Sequence, residues 1–227
     1  MNTQYSERSG SYVVELTATT VSLLVLTRIV FMLRSVSFID SILPVIVAVL
    51  FLYIPVIVLW KRKRRIDFLD LKVKGYIRSI FIFLIAAVIV FPLFFLAAHA
   101  WQLIVFNKTA FTAAGFPDLL SAIAFQLIIV ALPEEFYFRG YFQTTMDRVL
   151  PKRWKILGVK LGWGWIITAA VFAVAHTIVY YQWWHFAIFF PALLFGYLKE
   201  RTGTITTPIL FHAASNLLMN WFARSYI

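Results

Sequence analysis

The chain has 227 residues, of which 62% are hydrophobic and only 14% charged, with a mean hydropathy of +0.84. A soluble domain is about one quarter charged, and a single core of this size cannot hide so much apolar surface, so intrinsic disorder and a soluble globular fold are both excluded. The formal charge of +11, from 21 Lys+Arg against 10 Asp+Glu, would suggest nucleic acid in a soluble protein. In a membrane protein it is the expected excess of basic residues in loops on one side, and no nucleic-acid partner is inferred.

Seven segments are long and apolar enough to cross a hydrocarbon layer about 30 Å thick at about 1.5 Å per residue. The first covers residues 12–33 and contains Glu15 and Arg28. It has no small-residue cleavage site and is expected to be a retained helix rather than a signal peptide. The second covers 41–60 and the third 80–100. Between them lies a run of five basic residues, 61–65, followed by Ile66, Leu69, Val73 and Ile77 at roughly helical spacing. That pattern predicts a short amphipathic helix lying on the membrane surface against anionic lipid. The fourth segment, 118–149, is long and has a polar second half. The remaining three cover 163–181, 184–199 and 204–223. There is no internal repeat and no low-complexity tract. The expected fold class is therefore all-α, a polytopic membrane bundle of about seven transmembrane helices plus the interfacial helix.

Basic residues set the expected orientation. Eight Lys/Arg lie between 61 and 78, more follow the fourth span (Arg148, Lys152, Arg153, Lys155, Lys160), and Lys199 and Arg201 follow the sixth. The opposite loops hold Arg34, Lys108 and, at the tail, Arg224. The positive-inside rule then puts the N-terminus in the cytoplasm. Trp101, Trp183, Trp184 and Trp221 fall at the outer ends of spans, as interfacial aromatics should. The short loops suggest a prokaryotic plasma membrane.

Ionisable groups inside a bilayer are costly unless paired, so each needs a reason. For Glu15, Arg28, His99 and His185 the expected reason is structural pairing or snorkelling. The others cluster. Span four carries Pro133-Glu134-Glu135-Phe136-Tyr137-Phe138-Arg139, span five Phe172-Ala173-Val174-Ala175-His176, and span seven His212-Ala213-Ala214-Ser215-Asn216. Glu135 and Arg139, four apart, share a helix face and can pair, which leaves Glu134 without that local partner. His212 and Asn216 also share a face, and Phe172 lies one turn before His176. Counted from the basic ends of their spans, Glu134 and His176 lie about 20 Å deep, His212 about 12 Å and Asn216 about 18 Å. Four polar groups on three spans can thus meet in one layer. A carboxylate and a histidine near one water make a general base, and a second histidine with an asparagine amide suits a developing oxyanion. The set reads as water-activated hydrolysis of an amide. Cysteine is absent, and Ser215 faces away from His212 and Asn216, so a covalent nucleophile is not favoured.

Taken together, Glu134-Glu135…Arg139, Phe172…His176 and His212…Asn216 resemble the CAAX protease and bacteriocin-processing enzyme family, which includes the type II CAAX prenyl endopeptidases. The family pattern is EExxxR, then FxxxH, then HxxxN or HxxxD, in that order on separate membrane helices. Every signature position is matched here, over roughly residues 118–223; the first three spans match only in being hydrophobic. The resemblance implies a glutamate-dependent intramembrane endopeptidase that cuts near the C-terminus of a membrane-associated protein or lipidated peptide. It implies that Glu134 and His176 activate the water, that His212 and Asn216 form the oxyanion hole, and that Glu135, Arg139 and Phe172 support the site. With no repeat, low-complexity tract or soluble domain, the chain reads as one membrane domain over 1–227, with N-terminal helices over 1–117 and catalytic core helices over 118–223, and no cofactor is expected. Two alternatives stay open. Glu134, Glu135, His176 and His212 are acceptable zinc ligands, although no HExxH is present. A carrier or immunity protein could use the same cluster for proton or ligand binding.

Overall fold

A computed structural model describes residues 3–108, 110–115 and 118–226. The fold is an all-α membrane helical bundle of seven helices with one small hairpin: α1 (Thr3–Met32), α2 (Ser37–Lys61), α3 (Val73–Ile104), α4 (Leu119–Val149), β1 (Lys152–Ile156), β2 (Val159–Gly162), α5 (Trp163–Tyr180), α6 (Phe189–Thr202) and α7 (Thr206–Ser225). Helices α1 to α5 are each long and apolar enough to cross a membrane. The chain is an integral membrane protein, and its many exposed Val, Leu, Ile and Phe side chains are what a lipid-facing surface requires.

Three departures from the sequence pattern have physical reasons. The first is the interfacial helix, which does not form. Residues 62–72 run irregularly, and Val73 and Ile77 belong to α3. Phe68 and Asp70 turn inward instead of lying along a surface helix. The Phe68 ring packs edge-on against Phe136 at 5.1 Å, and its carbonyl accepts the Ile205 N–H at 2.9 Å. The buried Asp70 carboxylate accepts from Ser79 at 2.8 Å and from Thr204 at 2.9 Å. Burial of a ring and these hydrogen bonds fix the loop better than an amphipathic stripe on the surface would.

The second departure is the hairpin in the basic segment after α4. Its two-residue turn, Leu157-Gly158, has both φ angles positive (47° and 82°), the arrangement whose twist suits adjacent antiparallel strands. Lys152 anchors it to the carboxylates of Glu200 and Asp147. Burial alone would lower the Lys152 ammonium, but those two carboxylates outweigh it and hold its pKa above the ordinary value.

The third is span six. Residues Trp183–Ile188 form a 3-10 turn, and the α-helix begins only at Phe189 and ends at Thr202, with Gly203 in the left-handed region at φ 82°.

Helix α4 is the axis of the site. Asp118 caps it by accepting the Ser121 N–H at 3.1 Å. It is not a uniform α-helix, because two π-helical stretches, Gln126–Ala131 and Phe136–Gln143, flank one α turn at Leu132–Glu135. Pro133 lacks the N–H that a regular ladder needs there. Every residue from Phe136 to Gln143 is buried. Helix α1 packs beside α4 through a stripe of buried residues, Leu16, Thr19, Leu23 and Thr27. Hydroxyls join the two helices, with Thr20 Oγ1 2.8 Å from Tyr137 Oη. At the basic end of the bundle, buried Glu15 receives Arg62 at 3.1 Å, Arg64, and the Tyr141 hydroxyl at 2.8 Å. Arg28 donates to the Val179 carbonyl at 3.1 Å and lies over the Tyr181 ring. His99 pairs with the Tyr226 hydroxyl. These groups are structurally paired, as their positions suggested.

Candidate active site

The α turn of α4 presents two adjacent glutamates in unlike settings. Glu135 is fully buried and its Oε1 accepts twice, from Arg139 Nη1 at 2.9 Å and from His212 Nδ1 at 2.8 Å. Arg139, also fully buried, gives its Nη2 to the Ala192 carbonyl at 3.2 Å. Its guanidinium is held between two rings, 4.3 Å from the centre of Phe172 and 5.1 Å from that of Phe195. Such a pair is costly to desolvate, and its hydrogen bonds and ring faces offset that cost.

Glu134 has no such partner. Its Oε2 is buried and has no hydrogen bond among the described residues. It lies 3.7 Å from His176 Nε2 and 3.9 Å from His212 Nε2. Both gaps exceed a hydrogen bond and are of a size that one shared water or substrate atom can fill.

The histidine tautomers follow from their other nitrogens. His176 Nδ1 faces the Phe172 carbonyl of its own helix at 2.9 Å, and a carbonyl can only accept. Nδ1 therefore carries the proton, and Nε2 points a lone pair at the Glu134 gap. His212 Nδ1 likewise donates to Glu135. Its Nε2 faces Glu134 Oε2 at 3.9 Å. Packing fixes both rings. Phe172 lies 4.5 Å from His176 and 5.9 Å, edge-on, from His212. Phe195 stacks on His212 at 5.0 Å and 18°.

Asn216 completes the layer. Its Nδ2 donates one N–H to Gln126 Oε1 on α4 at 2.9 Å and keeps a second N–H. The structure thus brings Glu134, Glu135, Arg139, Phe172, His176 and His212 together, with Asn216 on the same α7 face one turn further on. Ser215 donates instead to the Phe211 carbonyl at 2.8 Å.

Two residues of this layer were not singled out from sequence. Gln126 is a lone amide in an apolar stretch, two turns before Glu134, and that spacing was a readable signal. Phe195 has no such mark among many phenylalanines. His185, expected to be structural, packs its ring against Tyr180 at 5.3 Å and His176 at 6.5 Å, at the edge of the site. A small cleft lies beside Glu134 and His176, walled by Phe51, Phe138 and Val179.

The sequence model of the family described as "Type II CAAX prenyl endopeptidase Rce1-like" matches residues 116–218. No curated protein and no solved structure matches the chain. The matched segment contains all seven motif residues, while α1 to α3 lie outside it. On that match and the motifs within it, residues 116–218 are similar to the type II CAAX prenyl endopeptidase family.

Proposed function

We propose that this protein is a glutamate-dependent intramembrane endopeptidase that hydrolyses a peptide bond near the C-terminus of a membrane-associated substrate. The observation that carries the reading is Glu134 Oε2, buried with no hydrogen-bond partner among the described residues and poised between two imidazole Nε2 atoms at 3.7 and 3.9 Å. A water between Glu134 Oε2 and His176 Nε2 would meet two acceptors, so its oxygen lone pair is left to attack. The water oxygen bonds to the scissile carbonyl carbon as Glu134 takes a proton, and the carbonyl π electrons move onto oxygen. The second Asn216 N–H, and His212 when its Nε2 carries a proton, stabilise that oxyanion. When the C–N bond breaks, the proton held by Glu134 passes to the departing amine, leaving a new carboxyl group and a free amine. Glu135 holds the His212 ring through Nδ1, Arg139 anchors Glu135, and neither touches a reacting atom.

The family points to a prenylated peptide in a bilayer as the substrate class. With the basic end taken as cytoplasmic, the N-terminus lies in the cytoplasm.

The test is cleavage of a farnesylated CAAX-type peptide by the purified protein in detergent. Glu134→Gln should abolish turnover, since general-base catalysis contributes about 10²–10⁴-fold, while His176→Ala should reduce it strongly. Variants that cleave as well as the parent would rule out this mechanism. Activity removed by a chelator and restored by zinc would favour the metal reading, in which Glu134 and the histidines are ligands.

A further inference from the structure

Helix α1 lies outside the matched family segment, yet its Leu24, Thr27 and Phe31 line the Glu134 cleft. Thr27 is 3% exposed, and its Oγ1 is buried with no hydrogen-bond partner among the described residues. Its neighbours on the helix show how unusual this is. Thr19, two turns earlier on the same buried stripe, donates back to the Glu15 carbonyl at 2.9 Å and faces the Tyr141 hydroxyl. Thr20 meets Tyr137. Thr168 and Thr177 on α5 each bond the carbonyl four residues back. Threonines in this bundle thus satisfy themselves on their own helix or on a neighbour, and Thr27 does neither.

A buried hydroxyl without a partner is costly, and a helix readily absorbs one by back-bonding, so an orphan has a partner elsewhere. The elsewhere is visible. Thr27 and Glu134 line the same cleft, and the Glu134 Oε2 atom is the other orphan there. Apart from His176 and Tyr180 the remaining wall is apolar, and the Thr27 hydroxyl is the polar group that α1 offers to it. The wall around Thr27 is fixed by the Phe31–Tyr180 ring pair and by Arg28 on the Val179 carbonyl, so α1 is held against α5 at this level.

We infer that Thr27 is a substrate-binding residue whose hydroxyl hydrogen-bonds a peptide group of the bound chain beside the scissile bond. This rests on the proposed protease reading. A peptide passing into a dry apolar cleft must find partners for its N–H and C=O groups, and a hydroxyl can serve either.

The test compares the parent with Thr27→Val, which keeps the shape and removes the hydroxyl, and with Thr27→Ser, which keeps the hydroxyl. The probe is a farnesylated CAAX-type peptide carrying a fluorophore and quencher, and Glu134→Gln is the inactive control. Thr27→Val should raise KM about three- to tenfold, the size of one lost hydrogen bond, with kcat within about twofold. Thr27→Ser should restore KM. The melting temperature of Thr27→Val should equal or exceed that of the parent, because an orphaned group has been removed; a purely structural threonine would lower it. An unchanged KM overturns the assignment, and so does a fall in kcat at constant KM, which would place the hydroxyl on the attacking water. If Glu134→Gln cleaves like the parent, or the parent neither binds nor cleaves the peptide, the protease reading fails and Thr27 falls with it. If Glu134→Gln is inactive while Thr27→Val matches the parent, only the Thr27 assignment fails.

Discussion

Helices α3 and α4 have almost the same length, 32 and 31 residues, and opposite characters. Helix α3 buries only Ser79, Ala98 and Gln102, and presents Leu84, Val88, Ile89, Leu93 and Leu96 outward. Helix α4 is less apolar, yet it buries nine consecutive residues, 135–143, the Glu135–Arg139 ion pair among them. A helix that faces lipid needs only length and apolar side chains. A helix that carries polar groups must surround them on all sides, and the polar groups themselves dictate which helices close around it. Apolar content locates the membrane, and what is buried against that tendency locates the chemistry.

The sharpest way to break this contrast is at Arg139. Removing it as Arg139→Ala leaves Glu135 buried beside a lone His212 contact and should cost about 3–5 kcal/mol, read as a large fall in melting temperature in detergent. The double variant Glu135→Leu/Arg139→Met should recover most of that stability while staying inactive, because His212 then lacks the acceptor on Nδ1. A double variant that is both stable and active would show that the pair does not hold the histidine.

Next in size is Asn216→Ala. Loss of an oxyanion donor costs about 10²–10³ in kcat, and the melting temperature should change little because the residue is only partly buried. Gln126→Ala leaves the donor in place and frees its orientation. It should lower kcat less than Asn216→Ala does, and Gln126→Glu, which keeps the acceptor, should restore it. Equal losses from Asn216→Ala and Gln126→Ala would make the amide pair one structural unit rather than a donor and its support.

The same contrast explains what was legible. The five helices α1 to α5 could be read because apolar runs of membrane length stand out, while span six shortened to Phe189–Thr202 behind a 3-10 turn. The Glu135–Arg139 pair and the convergence of Glu134, His176 and His212 followed from helical spacing and depth alone. The π stretches could not be read, because Gln126–Ala131 and Phe136–Gln143 have ordinary helical residues and differ only in their hydrogen-bond ladder. The turn into the bundle at Phe68 and Asp70 was hidden because their partners, Phe136, Ser79 and Thr204, lie far along the chain. An amphipathic spacing was present, but tertiary packing overrode it. Thr27 was equally silent, since a threonine in an apolar helix ordinarily satisfies itself.

A smaller effect probes the loop that pattern reading missed. A Cβ added at Gly140 would overlap the Phe68 ring. Gly140→Ala should therefore destabilise by about 1–3 kcal/mol, the usual cost of overpacking. The combination Gly140→Ala/Phe68→Leu should recover part of that loss by making room. If Gly140→Ala is neutral, the 62–72 loop does not press on α4, and its irregular course has another cause.

The smallest effect belongs to α3. Val88 is 75% exposed in the bundle, near the middle of the helix. Val88→Ala and Leu96→Val should each change stability by less than about 0.5 kcal/mol and leave peptide cleavage unchanged, because a lipid-facing side chain exchanges one apolar neighbour for another. The comparison with α4 depends on that neutrality. A loss above about 1 kcal/mol at Val88 is the signature of a packed site rather than a lipid contact. It would mean that the outward face of α3 is covered, with a second copy of the chain the first occupant to test by crosslinking across Val88 and Leu96. Neutral variants together with a monomer in the crosslinking gel would leave α3 as a plain membrane anchor and keep the chemistry on α4, α5 and α7.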